Sequence, residues 1–180
     1  MMNSHAAGLL DLARNLDMSV CRLFNRANRR RQIGRFFALI SRLGDGVFWY
    51  SLMAIVPLIY GWQGLWSSVQ MGLTGLVCLL VYKQLKSRTS RPRPFLNSEA
   101  IFRTVPPLDK YSFPSGHTLH AVAFTMLLFA WYPSLAWWVL PFTVLVAISR
   151  LVLGLHYPSD VLAGALLGAG IAWASLGIVS

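Results

Sequence analysis

Acid is what this chain has least of. Six Asp and Glu stand against sixteen Lys and Arg in 180 residues, and only 12% of the sequence is charged. An average soluble domain carries roughly 25% charged residues. So thin a polar coat cannot keep seven tryptophans and ten phenylalanines in water when 56% of the chain is hydrophobic. A soluble globular protein is excluded, and a multi-span membrane protein of one compact domain is left. Cysteine is scarcer still. Cys21 and Cys78 are the two present, too few for a disulfide framework or a metal knuckle. Cys78, inside an apolar run, reads as a small hydrophobe. The N-terminus is polar and lacks a continuous apolar core, so a cleaved signal peptide is not expected.

The net charge of +10 would on its own suit nucleic acid, but its distribution does not. Eight of the sixteen basic residues fall between Arg14 and Arg42, seven between Lys83 and Lys110, and Arg150 is the last. Basic clusters beside apolar spans contact anionic headgroups or fix topology. The expected partner is the bilayer, with no nucleic acid.

Residues 6–27 read as an amphipathic helix, with Leu9, Leu12, Leu16, Val20, Leu23 and Phe24 at three- and four-residue steps and charges between them. Arg29-Arg30-Arg31 follow, and then Ile33 to Leu43, which at eleven residues is too short to span and suits the interface. Spans are expected at about Val47–Trp62, Leu65–Tyr82, Pro114–Trp131, Leu135–Ile148 and Asp160–Ile178. Proline suits a first helical turn, where its missing donor costs nothing. Gly164-x3-Gly168 permits close helix contact. Trp62, Trp66, Trp131, Trp137 and Trp138 fall at span ends, as interfacial tryptophans should. The fold class is all-α: a polytopic membrane helical bundle of about five spans, six if part of the N-terminal segment inserts, with N-terminal interfacial amphipathic helices. Residues 1–44 are the amphipathic basic segment and 45–180 the transmembrane bundle, within a single domain. With five spans, both polar loops that carry reactive side chains lie on the side of the N-terminal segment, and so do all sixteen Lys and Arg.

Three short stretches carry the chemistry. In Ser149-Arg150-x5-His156-x3-Asp160, Tyr157-Pro158 argues against an unbroken helix. Asp160 is expected near the start of the last helix with its carboxylate turned back to His156. That contact fixes one imidazole nitrogen and frees the other as a nucleophile. Arg150, near the end of an apolar span, wants an anion, since an unpaired arginine at the bilayer centre costs roughly 2.5–3.5 kcal/mol. In Pro114-Ser115-Gly116-His117, a helix N-terminus offers free backbone donors to an anion. Ser115 adds a hydroxyl, Gly116 lets an oxygen approach, and His117 is set to protonate a departing oxygen. In Lys86-x6-Arg93-Pro94, a point charge and a planar fork would surround phosphoryl oxygens. Lys83, Arg88, Arg91, Arg103 and Lys110 are expected to be solvated or to face lipid headgroups, and His120 to be packing or to support the site from behind.

In order, spacing and type, these three stretches match a known signature. The chain resembles the type 2 phosphatidic acid phosphatase (PAP2) superfamily, whose motifs are KX6RP, PSGH and SRX5HX3D, all intact between Lys86 and Asp160. The six-residue spacing selects Arg93 over Arg91. The resemblance implies an antiparallel helical bundle with its site at one mouth, in a bacterial inner (plasma) membrane. It implies that His156 is the nucleophile forming a phosphohistidine, Asp160 its partner, and His117 the general acid and then the base. Lys86, Arg93, Ser115, Gly116 and Arg150 would bind the phosphoryl group. No metal or other cofactor is implied, in keeping with three cations that already take the role of magnesium. The implied substrate is a lipid phosphate or diphosphate of the polyprenyl diphosphate, phosphatidylglycerophosphate or phosphatidate class. Phe95 to Leu108 is expected to shape headgroup selectivity. A lipid phosphotransferase and a non-catalytic lipid-phosphate binder are the alternatives. The face of the membrane stays open, as does homo-oligomer formation. The positive-inside rule points the site to the cytoplasm, whereas bacterial relatives look outward-facing.

Overall fold

The computed structural model describes the backbone of residues 2–179 and the side chains of 11–178, so the Leu9 side chain lies outside it. Among the described residues the chain is helical, with no strand. Helix α1 (Met2–Asn25) leads through a 3₁₀ turn at Arg26–Arg29 into α2 (Arg31–Arg42) and a π-helical turn at Leu43–Val47. Then come α3 (Phe48–Thr89), the single turn α4 (Pro94–Asn97), α5 (Gly116–Trp131), α6 (Pro133–Val152) and α7 (Pro158–Val179).

Helix α3 is two antiparallel arms and not one rod. Gly61 has φ 59° and ψ −133°, a conformation that residues with a Cβ rarely take. The chain doubles back there: a Cβ on Gly64 would lie 2.5 Å from the carbonyl oxygen of Val56. In a straight helix, eight residues would separate the two by about 12 Å. The arms, 48–60 and 62–89, are the first and second expected spans. With α5, α6 and α7 they make five apolar helices, of which α5 is short. Exposed Trp62, Trp66, Trp137 and Trp138 mark one end, where Tyr60 stacks on Tyr132.

Lipid is as apolar as leucine, so close packing and polar contacts must hold the helices together. The first comes from Gly164 and Gly168 of α7, whose missing Cβ atoms would meet the Ser115 and Leu119 carbonyls of α5. The second comes from hydrogen bonds between helices: Gln70 Nε2 to the Ser175 carbonyl (3.1 Å), Thr74 to Ser175 (2.9 Å), and Thr125 to Thr143 (2.6 Å). Each is worth about 0.6 kcal/mol. Trp49, Met71, Cys78, Leu119, Leu127 and Leu128 fill the space between arms and helices.

Two expectations need correction. Helix α5 begins at Gly116, two residues later than read from Pro114, because the Ser115 N–H donates to the Asp160 carbonyl (3.0 Å), with Ser115 extended at ψ 104°. The N-terminal segment is also more than an interfacial strip. Leu12, Leu16 and Leu23 of α1 are exposed, as a lipid-facing stripe requires. Its opposite face, Asp17, Cys21 and Asn25 at four-residue steps, is bonded to the loops beside the reactive residues. Asn25 Nδ2 donates to the carbonyls of Val152 (2.8 Å) and Phe102 (2.9 Å), and its Oδ1 accepts from the Phe102 N–H (2.8 Å).

Candidate active site

At the end of the bundle opposite the exposed tryptophans, a cavity of about 370 Å³ opens among the helix ends. Lys86, Arg93, Gly116, His117, Arg150 and His156 line it, joined by Asp45 and Asp109. Its other wall is apolar and runs down between the arms of α3 and helix α5, along Trp49, Met53, Leu76, Leu79 and Phe124. Of the eight residues singled out by the motifs, Ser115 and Asp160 do not line the cavity. Both are fully buried just behind it. Ser115 Oγ lies 3.0 Å from Thr118 Oγ1.

His156 lies in the loop between α6 and α7, 2% exposed. Its N–H donates to the Arg150 carbonyl (3.2 Å). Its Nε2 lies 3.3 Å from Arg93 Nη1. A guanidinium has no lone pair to offer, so the donor is Arg93 and the acceptor is Nε2. The ring proton is therefore on Nδ1, which faces Asp160 Oδ2 at 3.6 Å, close enough for charge but too long for a hydrogen bond. Burial, followed by the charges of Arg93, Arg150 and Lys86, holds the imidazole well below its ordinary pKa of 6.5. It is neutral at pH 7, with its one lone pair on Nε2, where Arg93 now donates.

Behind His156 stands a relay of charges that the motifs alone do not include. Asp160 accepts from the Tyr157 N–H (2.9 Å) and from Arg91 Nη1 (2.6 Å). Arg91 Nη2 reaches Asp17 of α1 (2.6 Å), and the guanidinium lies 4.1 Å from the centre of the Tyr157 ring. Asp17 also accepts from the N–H of Ser159 (2.9 Å) and from its hydroxyl. Arg91 thus departs from the headgroup role expected of it. Its 27% exposed side chain is held between two carboxylates, where a desolvated charge needs them. Cys21 caps the same region with its thiol 3.7 Å from the His156 carbonyl. Burial, then the nearby Asp17 and Asp160, push that thiol up to about 12, so it is no nucleophile at neutral pH.

The cations come from three elements. Lys86 ends α3, and Arg93 follows in the loop, where Nη1 donates to the Leu155 carbonyl (2.8 Å). Arg150, 3% exposed near the end of α6, donates through Nη1 to Ser41 of α2 (2.7 Å). Asp109 bridges the first two: Lys86 Nζ lies 2.6 Å and 2.8 Å from its oxygens, and Arg93 Nη2 donates at 2.8 Å. Burial alone would raise the Asp109 carboxyl, but these two cations outweigh it and hold it below the usual carboxylate range. His117, on the first turn of α5, pairs through Nε2 with Asp45 in the π-helical turn. Four of the six acidic residues, Asp17, Asp45, Asp109 and Asp160, thus contact a histidine or cation in or behind the cavity. Sequence reasoning missed three of them. Their scarcity was the available signal, since a chain with so little acid keeps each carboxylate for a partner.

Such a site can hold a tetrahedral oxyanion among three cations, attack it with a neutral imidazole and protonate what leaves. The comparisons with known proteins agree with that chemistry. The PAP2 superfamily model matches residues 63–180. The undecaprenyl-diphosphatase of Sulfolobus acidocaldarius is 28% identical over 158 residues, which cover 85% of this chain and 74% of that one. The crystal structure of Aquifex aeolicus LpxE superposes with a TM-score of 0.78 at 27% identity, covering 90% of this chain and 95% of that one. The transmembrane PAP2-type phosphatidylglycerolphosphate phosphatase of Bacillus subtilis gives 0.75 at 25%, covering 93% and 86%. The chain belongs to the PAP2 superfamily, and it is a multi-pass membrane phosphatase of that type.

Proposed function

We propose that this chain hydrolyses the phosphate or diphosphate headgroup of a membrane lipid through a phosphohistidine on His156. The similar proteins act on an isoprenoid diphosphate and on a phosphatidylglycerolphosphate, by their names. The observation that carries the reading is the cavity itself. It joins Lys86, Arg93, Arg150, His117 and His156 to an apolar wall, Trp49, Met53, Leu76, Leu79 and Phe124, of the kind a lipid tail would lie against.

The steps follow from the geometry. The lipid phosphate lies with its oxygens on Lys86, Arg93, Arg150 and the free N–H groups at the start of α5. Ser115 and Gly116 shape that helix start. The lone pair of His156 Nε2 attacks phosphorus as the bond to the lipid oxygen breaks, and His117 gives its proton to that oxygen. Asp160 supports the positive ring. A water then attacks the phosphorus–nitrogen bond, His117 takes the water proton, and phosphate leaves with His156 neutral again. Leu108 lines the cavity, which supports a part for Phe95 to Leu108 in headgroup selectivity. The whole chain is read as one catalytic domain, because residues 1–44 supply Asp17 and Ser41 to contacts around the site. The enzyme is assigned to the bacterial inner membrane.

Purified enzyme with one lipid phosphate in detergent tests the reaction. Phosphate release supports hydrolysis. Release only when a second lipid alcohol is added would make it a phosphotransferase, and binding without release a carrier. Cys21 and Cys78 are buried, so cysteines placed at Ser98 and Ser134 report the two faces when labelled from outside the cell. Labelling at Ser98 puts the site outside, where carrier-lipid diphosphates are recycled. Labelling at Ser134 puts it in the cytoplasm.

A further inference from the structure

The motifs account for one histidine–carboxylate pair, His156 and Asp160. The structure holds a second. Asp45 reaches His117 across 72 residues of sequence, and its carboxylate lines the same cavity. We propose that Asp45 is a positioning residue for His117, holding that ring in place and favouring the proton it would donate as the general acid. This rests on the reading of His117 given above.

The local backbone is built for that contact. Asp45 sits between two glycines in the π-helical turn that joins α2 to α3. Gly46 has φ 138°, outside the reach of ordinary residues, and a Cβ there would lie 2.6 Å from the Tyr50 ring. On the other side, a Cβ at Gly44 would stand 3.0 Å from Val146 of α6. The turn is therefore pressed against α6 and bulged, and the bulge is where Asp45 meets the start of α5.

The charges around His117 explain the need. Lys86, Arg93 and Arg150 share its cavity, and like charges disfavour a proton on a neighbouring ring. Asp109 is engaged by Lys86 and Arg93, and Asp160 lies behind His156 with Arg91. Asp45 is the carboxylate bonded to the His117 ring. A cation-rich pocket suits phosphate but disfavours a proton on its own acid, and Asp45 is the group that opposes that effect locally.

A general acid matters only when the leaving oxygen needs a proton. The test compares an alkyl substrate, dioleoyl phosphatidate in detergent micelles, with p-nitrophenyl phosphate, whose leaving oxygen is stable without one. Asp45→Asn is expected to lower kcat for the alkyl ester about 100-fold, with KM little changed and less than about a tenfold loss on the aryl ester. Asp45→Glu should recover part of the alkyl rate. Retained aryl activity also reports a folded enzyme, and Asp45→Ser gives the same comparison if the amide variant does not fold. Equal losses on both substrates, or no loss on the alkyl ester, overturn the proposal. His117→Gln separates this from failure of the reading beneath it. If that variant also loses both activities equally, His117 is not the acid. If it spares the aryl ester and Asp45→Asn does not, only the role of Asp45 falls.

Discussion

The two histidines of the site are held in opposite ways. His156 is sunk in a loop at 2% exposure, with Arg93 on one nitrogen, Asp160 facing the other, and α1 packed behind. His117 is the less buried, its side chain 13% exposed, on the first turn of a helix with one carboxylate as partner. The difference matches the two tasks proposed for them. An attacking nitrogen gains from a fixed line of approach, because misplacement by an ångström costs about 100-fold. A proton donor that meets first a lipid oxygen and then a water would gain from the looser setting of His117.

That contrast can be broken from either side. The largest effect is expected from His156→Ala, which should lower kcat by about 10⁴-fold or more while leaving lipid binding in place. Phosphate release and equilibrium binding of the same lipid measure the two separately. Next comes Arg91→Gln. Removing the cation between Asp17 and Asp160 leaves a carboxylate buried without its partner, a loss of about 3–5 kcal/mol in stability. Melting in detergent should fall accordingly, and Arg91→Lys should recover part of it. Unchanged melting would mean that Asn25, Cys21 and the Asp17–Ser159 contacts dock α1 without Arg91.

A smaller effect is expected at Asp109, whose carboxylate holds the two cations that phosphate would use. Asp109→Asn should tighten competitive inhibition by inorganic phosphate by about threefold to tenfold, the net scale of one ordinary hydrogen bond. Weaker inhibition would mean that Asp109 aligns the cations rather than competing for them. The smallest is a pH effect. Native His156 takes a proton only well below 6.5, whereas in the unfolded chain it does so near the ordinary value of about 6.5. The unfolded state therefore binds more protons as pH falls through that window, and stability drops by up to about 1.4 kcal/mol per pH unit. Asp109, held low, keeps its contribution over the same range. Melting at pH 7 and pH 5 should differ less in His156→Gln than in the parent.

What was legible in the sequence follows the reach of local chemistry. Lys86, Arg93, His117, Arg150 and His156 announced themselves because each lies in a short motif with fixed spacing, and the five apolar helices because each is nearly continuous. The partners of those residues did not. Asp17 meets Arg91 across 74 residues and Asp45 meets His117 across 72, distances over which no periodicity speaks. Helix α1 gave its two faces correctly, but periodicity cannot say which face meets lipid. Here the leucines do, and Asp17, Cys21 and Asn25 face the protein. The start of α5 was misjudged because a bond from Ser115 to Asp160, 45 residues away, outweighs the preference of Pro114 for a first turn.

Rapid quenching of the enzyme with phosphorus-labelled lipid phosphate, followed by mass mapping, goes straight to the nucleophile. The label should appear on His156 within one turnover, resist base, and be absent from His156→Ala. Label on any other residue, or undiminished turnover by His156→Ala, would contradict a phosphohistidine at that position.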